Sequence, residues 1–296
     1  MNKRQMMAQC AVFALMICVT ASAVAQPEDV VAVLGSDSRA YQEALAGIRD
    51  TFGASLTVIN LASSEKIPPT AKLIITIGGK AVVASERINT PLIYCLAPGV
   101  DVNRDRHPNL VVKVFMSPPP QVLLAKLQEI QPDLKRLGAV WVDDPASSYG
   151  TALKAEGGRR RVEVRPYRLR SLEELPDYLR GLKGHIDALW LPPDPLLINP
   201  KSFNTIKQFG LDNGIPFYAS IDALADQGAV AAISVSFREM GHKAGAIAAQ
   251  IMSGNHSTGE QIFGDTVSVT LNLKSAAGTG LKFPPAAVKQ VDRVIP

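Results

Sequence analysis

The polar residues of this chain that could touch a ligand recur at one kind of place, just past an apolar run. Ser36, Asp37, Ser38 and Arg39 follow the run 29–34, Gly78 and Gly79 end the run 73–77, and Ala97 lies just beyond 91–95. Ser147, Ser148 and Tyr149 follow 136–142, Asp194 follows 188–191, and Ser220 and Asp222 follow 216–219. The chemistry such groups offer is non-covalent. Carboxylates and hydroxyls take up hydrogen bonds from a ligand amine or hydroxyl, Arg39 offers the two-pronged donor that suits an anion, and a glycine pair lets backbone approach a bound molecule closely. Each group also has a plain structural use. Asp194 precedes Pro195 and can start a turn, the serines and Asp222 can cap helices, and a glycine pair at a strand end can be turn geometry.

Covalent and cofactor chemistry find little support. Gly35 and Ser36 do not make a dinucleotide fingerprint, no phosphate-cradling P-loop sequence occurs, and no G-x-S-x-G elbow is present. His107, His185, His242 and His256 are scattered without an i, i+4 partner, so neither a metal nor another cofactor is expected. No nucleophile and base can be paired, and the chain is expected not to be an enzyme; a bound ligand that turned over would reverse that.

The elements needed to hold these residues are written as alternation. Short β-branched runs alternate with amphipathic segments, the pattern of parallel strands joined by crossover helices. Strands are expected at 29–34, 55–60, 73–77, 91–95 and 109–115, with helices at 40–52 and 80–85. Ser117 and Pro118 to Pro120 then interrupt the pattern and make a hinge candidate. The grammar restarts with helix 120–131, strand 136–142, helix 147–156, strand 161–168, helix 172–181 and strand 188–191. Helix 200–210, strand 216–219, a turn of helix at 222–226 and strand 230–235 follow. The helix expected over 237–252 is rich in Ala and Gly, which lets it lie close against a neighbour. Two successive α/β halves with loops at their strand ends form a cleft.

At 296 residues the chain is long enough for two medium lobes, and 47% hydrophobic against 20% charged residues is the composition of a globule. Lys3 and Arg4, an apolar run 11–19 and the small residues up to Ala25 have the order of a secretory signal cleaved after Ala25, with the apolar run too short for a stable membrane span. Cys18 and Cys10 are poorly placed for lipidation, so the mature protein is expected to be soluble, unanchored and periplasmic. Of the three cysteines only Cys95 then remains, which precludes an internal disulfide. The formal charge of +4 loses Lys3 and Arg4 with the leader. The basic cluster Arg159, Arg160, Arg161, Arg165, Arg168 and Arg170 has glutamates beside it and reads as a solvated strand and loop, which leaves no footprint for nucleic acid.

Several stretches carry a resemblance. Asp187 to Asp194 (DALWLPPD), Gly214 to Ser220 (GIPFYAS), Gly228 to Ala232 with Met240, Gly241 and the helix to Gly254, and Val269 to Lys274 (VTLNLK) stand in an order similar to that of the ABC-transporter solute-binding proteins. That family is close to the type I periplasmic binding proteins. The resemblance implies an α/β fold of two Rossmann-like, flavodoxin-like lobes with parallel sheets joined by a hinge. It implies a chain that crosses between lobes more than once: 26–116 plus 237–262 in lobe 1, and 117–236 plus 263–296 in lobe 2. Where many members carry N-x-S-E-P-N-S, this chain has Asp143, Asp144, Pro145, Ala146, Ser147 and Ser148, whose carboxylates oppose an anionic ligand. Amino-acid binding therefore does not follow from the resemblance alone.

The resulting expectation is an exported protein that closes two lobes on a small polar ligand, an amino acid or similar solute, and delivers it to an ABC permease. The loops 36–39, 78–79, 96–98, 147–149, 194 and 220–222 would surround the ligand. The alternative is a periplasmic sensing subunit that presents its ligand-bound shape to a membrane receptor or kinase.

Overall fold

The computed structural model describes residues 29–63, 66–102, 107, 109–142, 148–255 and 261–296. The leader segment and Ser147 lie outside these.

The first sheet is built from β1 (Val30–Leu34), β2 (Thr57–Asn60), β3 (Leu73–Ile77), β4 (Leu92–Cys95), β5 (Val111–Val114) and the short β11 (Gln261–Ile262). Their order is β11-β5-β4-β3-β1-β2, and every pairing is parallel. All five residues of β1 and all five of β3 are buried. Successive side chains leave a strand on opposite faces, so a run buried throughout must be covered on both sides. Val30, Ala32 and Leu34 accordingly pack with α1 (Arg39–Phe52) and α8 (Phe237–Met252), while Val31 and Val33 pack with Ala81 and Val82 of α2 (Gly79–Ser85).

The second sheet repeats the plan with β6 (Arg136–Trp141), β7 (Glu163–Arg168), β8 (Ala188–Leu191), β9 (Phe217–Ala219) and β10 (Ala231–Ser234). Beyond β10 come β12 (Ser268–Asn272) and β13 (Arg293–Ile295), giving the order β13-β12-β10-β9-β8-β6-β7. The sequence pattern suggested parallel strands throughout, but β12 runs antiparallel to β10 because it enters from the opposite end of the sheet. One face is covered by α3 (Pro120–Ile130), α4 (Ser148–Arg160), α9 (Leu273–Gly278) and α10 (Pro285–Gln290); α5 (Leu175–Leu182), α6 (Pro200–Asn213) and α7 (Ala223–Gln227) cover the other. β11, α10 and β13 have no counterpart among the elements expected from sequence, being two, six and three residues long. The basic cluster falls on the end of α4 and on β7, an edge strand with exposed Tyr167 and Arg168.

The chain passes between the sheets three times, from β5 to α3, from β10 to α8 and from β11 to β12. The second pass is secured where α8 lies on α1 at backbone contact. A Cβ on Gly241 would fall 1.9 Å from the Ala44 carbonyl oxygen, and one on Gly47 would fall 2.0 Å from that of Arg238. No helix among the described residues is long and apolar enough to cross a membrane.

These contacts separate two glycines of identical chemistry. Gly241→Ala should cost at least about 2 kcal/mol through enforced overpacking. Gly158→Ala, in helix α4 with nothing within 4 Å of its added carbon, should stabilise by about 0.5–1 kcal/mol through reduced chain entropy. Urea denaturation of the two variants beside the unmutated protein measures both, and equal midpoints would contradict the packing described.

Candidate functional site

A cavity opens at the carboxyl ends of the parallel strands, between the two sheets. It leaves about 100 Å³ for the centres of water molecules, enough for a small solute. Its walls come from both sheets. Tyr94 on β4, the turn Ala97 to Gly99 with Asp101, and Lys113 to Ser117 on and after β5 form one side; Trp141, Tyr149 and Pro192 to Asp194 form the other.

The first-sheet wall carries the charge. Tyr94 and Lys113 are register partners across β4 and β5. The Lys113 ammonium, on a side chain only 20% exposed, donates to the Val100 carbonyl at 3.1 Å and to Asp101 Oδ1 at 2.5 Å. It also lies 5.7 Å from the Tyr94 ring centre and 5.2 Å from that of Phe115, within the range of a cation–π attraction. Aromatic rings brace the two walls against each other. Phe115 stacks on Phe263 with centroids 4.8 Å apart and on Tyr149 at 6.0 Å. The buried Tyr149 hydroxyl donates to the Pro118 carbonyl at 2.9 Å, tying α4 to the proline run. Burial pushes that hydroxyl well above its ordinary pKa, so it remains a proton donor.

Of the residues singled out from sequence, the cavity gathers Ala97, Tyr149 and Asp194. Asp194 is buried; Oδ2 accepts from the Val142 N–H at 2.8 Å and Oδ1 from the Leu196 N–H at 2.9 Å, so it ties the end of β6 to the end of β8. The other candidates among the described residues are not part of this cavity's lining. Ser38 caps α1 by accepting from the Tyr41 N–H, Ser36 belongs to the same turn, and Asp37 accepts from Gln42. Arg39 is 93% exposed and pairs with Glu43 at 2.9 Å, one helical turn on, which draws it into solvent. Gly78 has φ +95° and Tyr41 packed where a side chain would be, and Gly79 begins α2 against Val100. Ser220 is buried and donates to the Leu191 carbonyl at 3.3 Å. Asp222 bonds Thr270 and pairs with Arg293 at 3.0 Å. Ser148 begins α4, and Ser147 lies outside the described residues.

Lys113, Asp101, Tyr94 and Trp141 were not among the candidates. One signal was present: Lys113 interrupts Val111, Val112 and Val114, and a charge within an apolar strand run needs a buried partner or a cleft. The aromatic residues carry no such mark, since an aromatic at a strand end reads as core.

Cys95 ends β4, fully buried and unpaired to another cysteine. Burial pushes its thiol up to about 12, and reactivity requires the thiolate. Protein lacking residues 1–25 should leave Ellman's reagent unreacted at pH 8 and yield one equivalent in guanidinium; rapid labelling of the native protein would contradict this burial.

Comparison with known proteins finds a match over residues 121–295 to the family model for the ABC transporter substrate binding protein. A tyrosine-binding protein of Clostridioides difficile (strain R20291) is 24% identical over 133 residues, 44% of this chain and 38% of that protein. The matched stretch thus spans under two fifths of that relative's length. Among solved structures, the ABC domain in complex with L-Trp from Streptococcus pneumonia superposes with a TM-score of 0.62 at 16% identity, covering 90% of this chain and 99% of that one. The ligand-free, open structure of a substrate binding protein with adhesive properties from Clostridium difficile gives 0.60 at 17% identity, over 90% and 98%. At these identities the likeness is one of fold, two α/β lobes of the type I periplasmic binding kind.

Proposed function

Since the chain belongs to the ABC transporter substrate binding protein family, we propose that it is exported, captures a small amino-acid-like solute in the cavity between its sheets and delivers it to an ABC permease. The observation that carries this reading is the cavity itself. Strand ends of both sheets line one space with a partly buried lysine, two aspartates and aromatic rings. Closure about the segment 117–120, Ser117 and the three prolines after it, would bring these walls together and strip water from the solute, which strengthens every polar contact it makes. On this reading the lobes divide at 116/117, 236/237 and 262/263, a division supported by the passes of the chain between the sheets in those segments.

A solute with an apolar or aromatic body and a charged head suits these walls better than a sugar, whose many hydroxyls need a larger set of planar polar partners. Related proteins support that choice, one being named as tyrosine-binding and one being bound to L-Trp. The family is one of ligand-binding, transport-associated proteins. Its usual place outside the cytoplasm fits the leader-like segment that ends at Ala25.

Two measurements test the proposal. L-tyrosine, L-tryptophan and L-leucine at about 100 times Kd should stabilise the protein by about 2.7 kcal/mol and perturb Trp141 fluorescence, while glucose and ribose should do neither. A broad panel of amino acids and small carboxylates without any shift in melting temperature would overturn capture. Intact-mass analysis of protein recovered from the periplasm should place the first residue at Gln26; retention of residues 1–25 would overturn export by a cleaved signal.

A further inference from the structure

We infer that the Lys113–Asp101 pair on the first-sheet wall is the recognition element for the solute's head group, and that it selects a zwitterion. The solute's carboxylate would sit on Lys113 and its ammonium on Asp101. The inference rests on the solute-capture reading and assigns its polar subsite.

Lys113 occupies a strand position whose neighbours are core. Tyr94 lies beside it in register, and Val111, Ala97 and Val102 share the same apolar cluster with Tyr94. Moving an ammonium into such surroundings is unfavourable unless it is paired. The pair with Asp101, whose side chain is 56% exposed, is only partly buried, and an ion pair so open to solvent adds little to stability. Stability is therefore a poor reason for a lysine here, and its use must lie in what the charge can bind.

The bonding leaves one site of each sign open. An ammonium has three donors; Val100 O and Asp101 Oδ1 take two, and the third has no partner among the described residues. Asp101 Oδ1 accepts from both Lys113 and the Tyr94 hydroxyl at 3.2 Å. Asp101 Oδ2 accepts from no described residue. A donor and an acceptor of opposite charge thus lie side by side on the cavity wall, the mirror of an α-amino acid's own adjacent charges. Phe115, Met116 and Trp141 line the same space and would receive the side chain. Asp194, by contrast, spends its oxygens on the Val142 and Leu196 N–H groups and holds the far wall together.

Isothermal calorimetry with four probes tests the assignment: L-tyrosine, L-tryptophan, tyramine, which lacks the carboxylate, and 3-(4-hydroxyphenyl)propionate, which lacks the amine. Both truncated probes should bind at least about 10-fold more weakly than L-tyrosine, the loss expected for one charge-assisted hydrogen bond. Lys113→Met should weaken both amino acids by about 10- to 100-fold. Asp101→Asn, at a half-exposed side chain, should weaken the amino acids yet leave the propionate unchanged. Circular dichroism and melting temperature check folding of each variant; if Lys113→Met does not fold, Asp101→Asn and the probe series decide. L-tyrosine bound equally by both variants and the unmutated protein would overturn the assignment while leaving solute capture intact. A propionate that binds as tightly as L-tyrosine would overturn selection of a zwitterion. Failure of the unmutated protein to bind any probe or any wider solute would overturn capture itself, and the assignment with it.

Discussion

A strand buried on both faces can offer polar chemistry only at its ends. Val30 to Leu34, Leu73 to Ile77, Leu92 to Cys95 and Ala188 to Leu191 are buried from first residue to last. With backbone groups committed to the ladder and side chains to helices above and below, the polar residues of this protein are driven to the loops beyond the strand tips. Parallel pairing collects the carboxyl-end loops at one edge of each sheet. Setting two such edges toward each other makes the cavity, and its position follows from strand direction.

The two lobes are not consecutive beads. The chain completes most of one sheet, builds most of the second, then returns through α8 to close the first before ending in the second. That return depends on glycines at the crossing of α1 and α8, where backbone touches backbone at Gly47, Gly241 and Gly245. A small-residue helix is therefore the fastening of lobe 1. It also leaves several strands of chain between the lobes, the construction expected of a hinge that bends without loosening either body.

Within the cavity, charge and aromatic surface are divided between partners of different origin. Lys113 is set by the sheet ladder, which fixes its height and its distance from Tyr94. Asp101 reaches it from the turn after β4. Phe115, Phe263 and Tyr149 come from the residue after β5, from the segment following β11 and from α4, so their stack joins three parts of the chain across the seam between lobes.

Local pattern alone sufficed for the order of the longer strands and helices, because burial on two faces writes continuous apolar runs and helix faces write a 3.6-residue period. Helix α8 is legible to its ends, Phe237–Met252, since Ser236 caps it and Gly254 follows it. The short β11 and β13 were invisible, because two or three residues carry no period and pair only with strands remote in sequence. The same limit governs the site. Ser38, Arg39, Ser220 and Asp222 stand at strand ends just as Asp194 does, and sequence position cannot say which will face the cavity. A helical turn sends Arg39 to Glu43, and a β-ladder brings Arg293 to Asp222. Lys113 and Asp101 are twelve residues apart, and only the pairing of β4 with β5 sets the ammonium beside the carboxylate. What the amino-acid order determined was where polar residues must emerge; which of them meet was decided by register between strands and by the turn each loop takes, long-range geometry that no local pattern encodes.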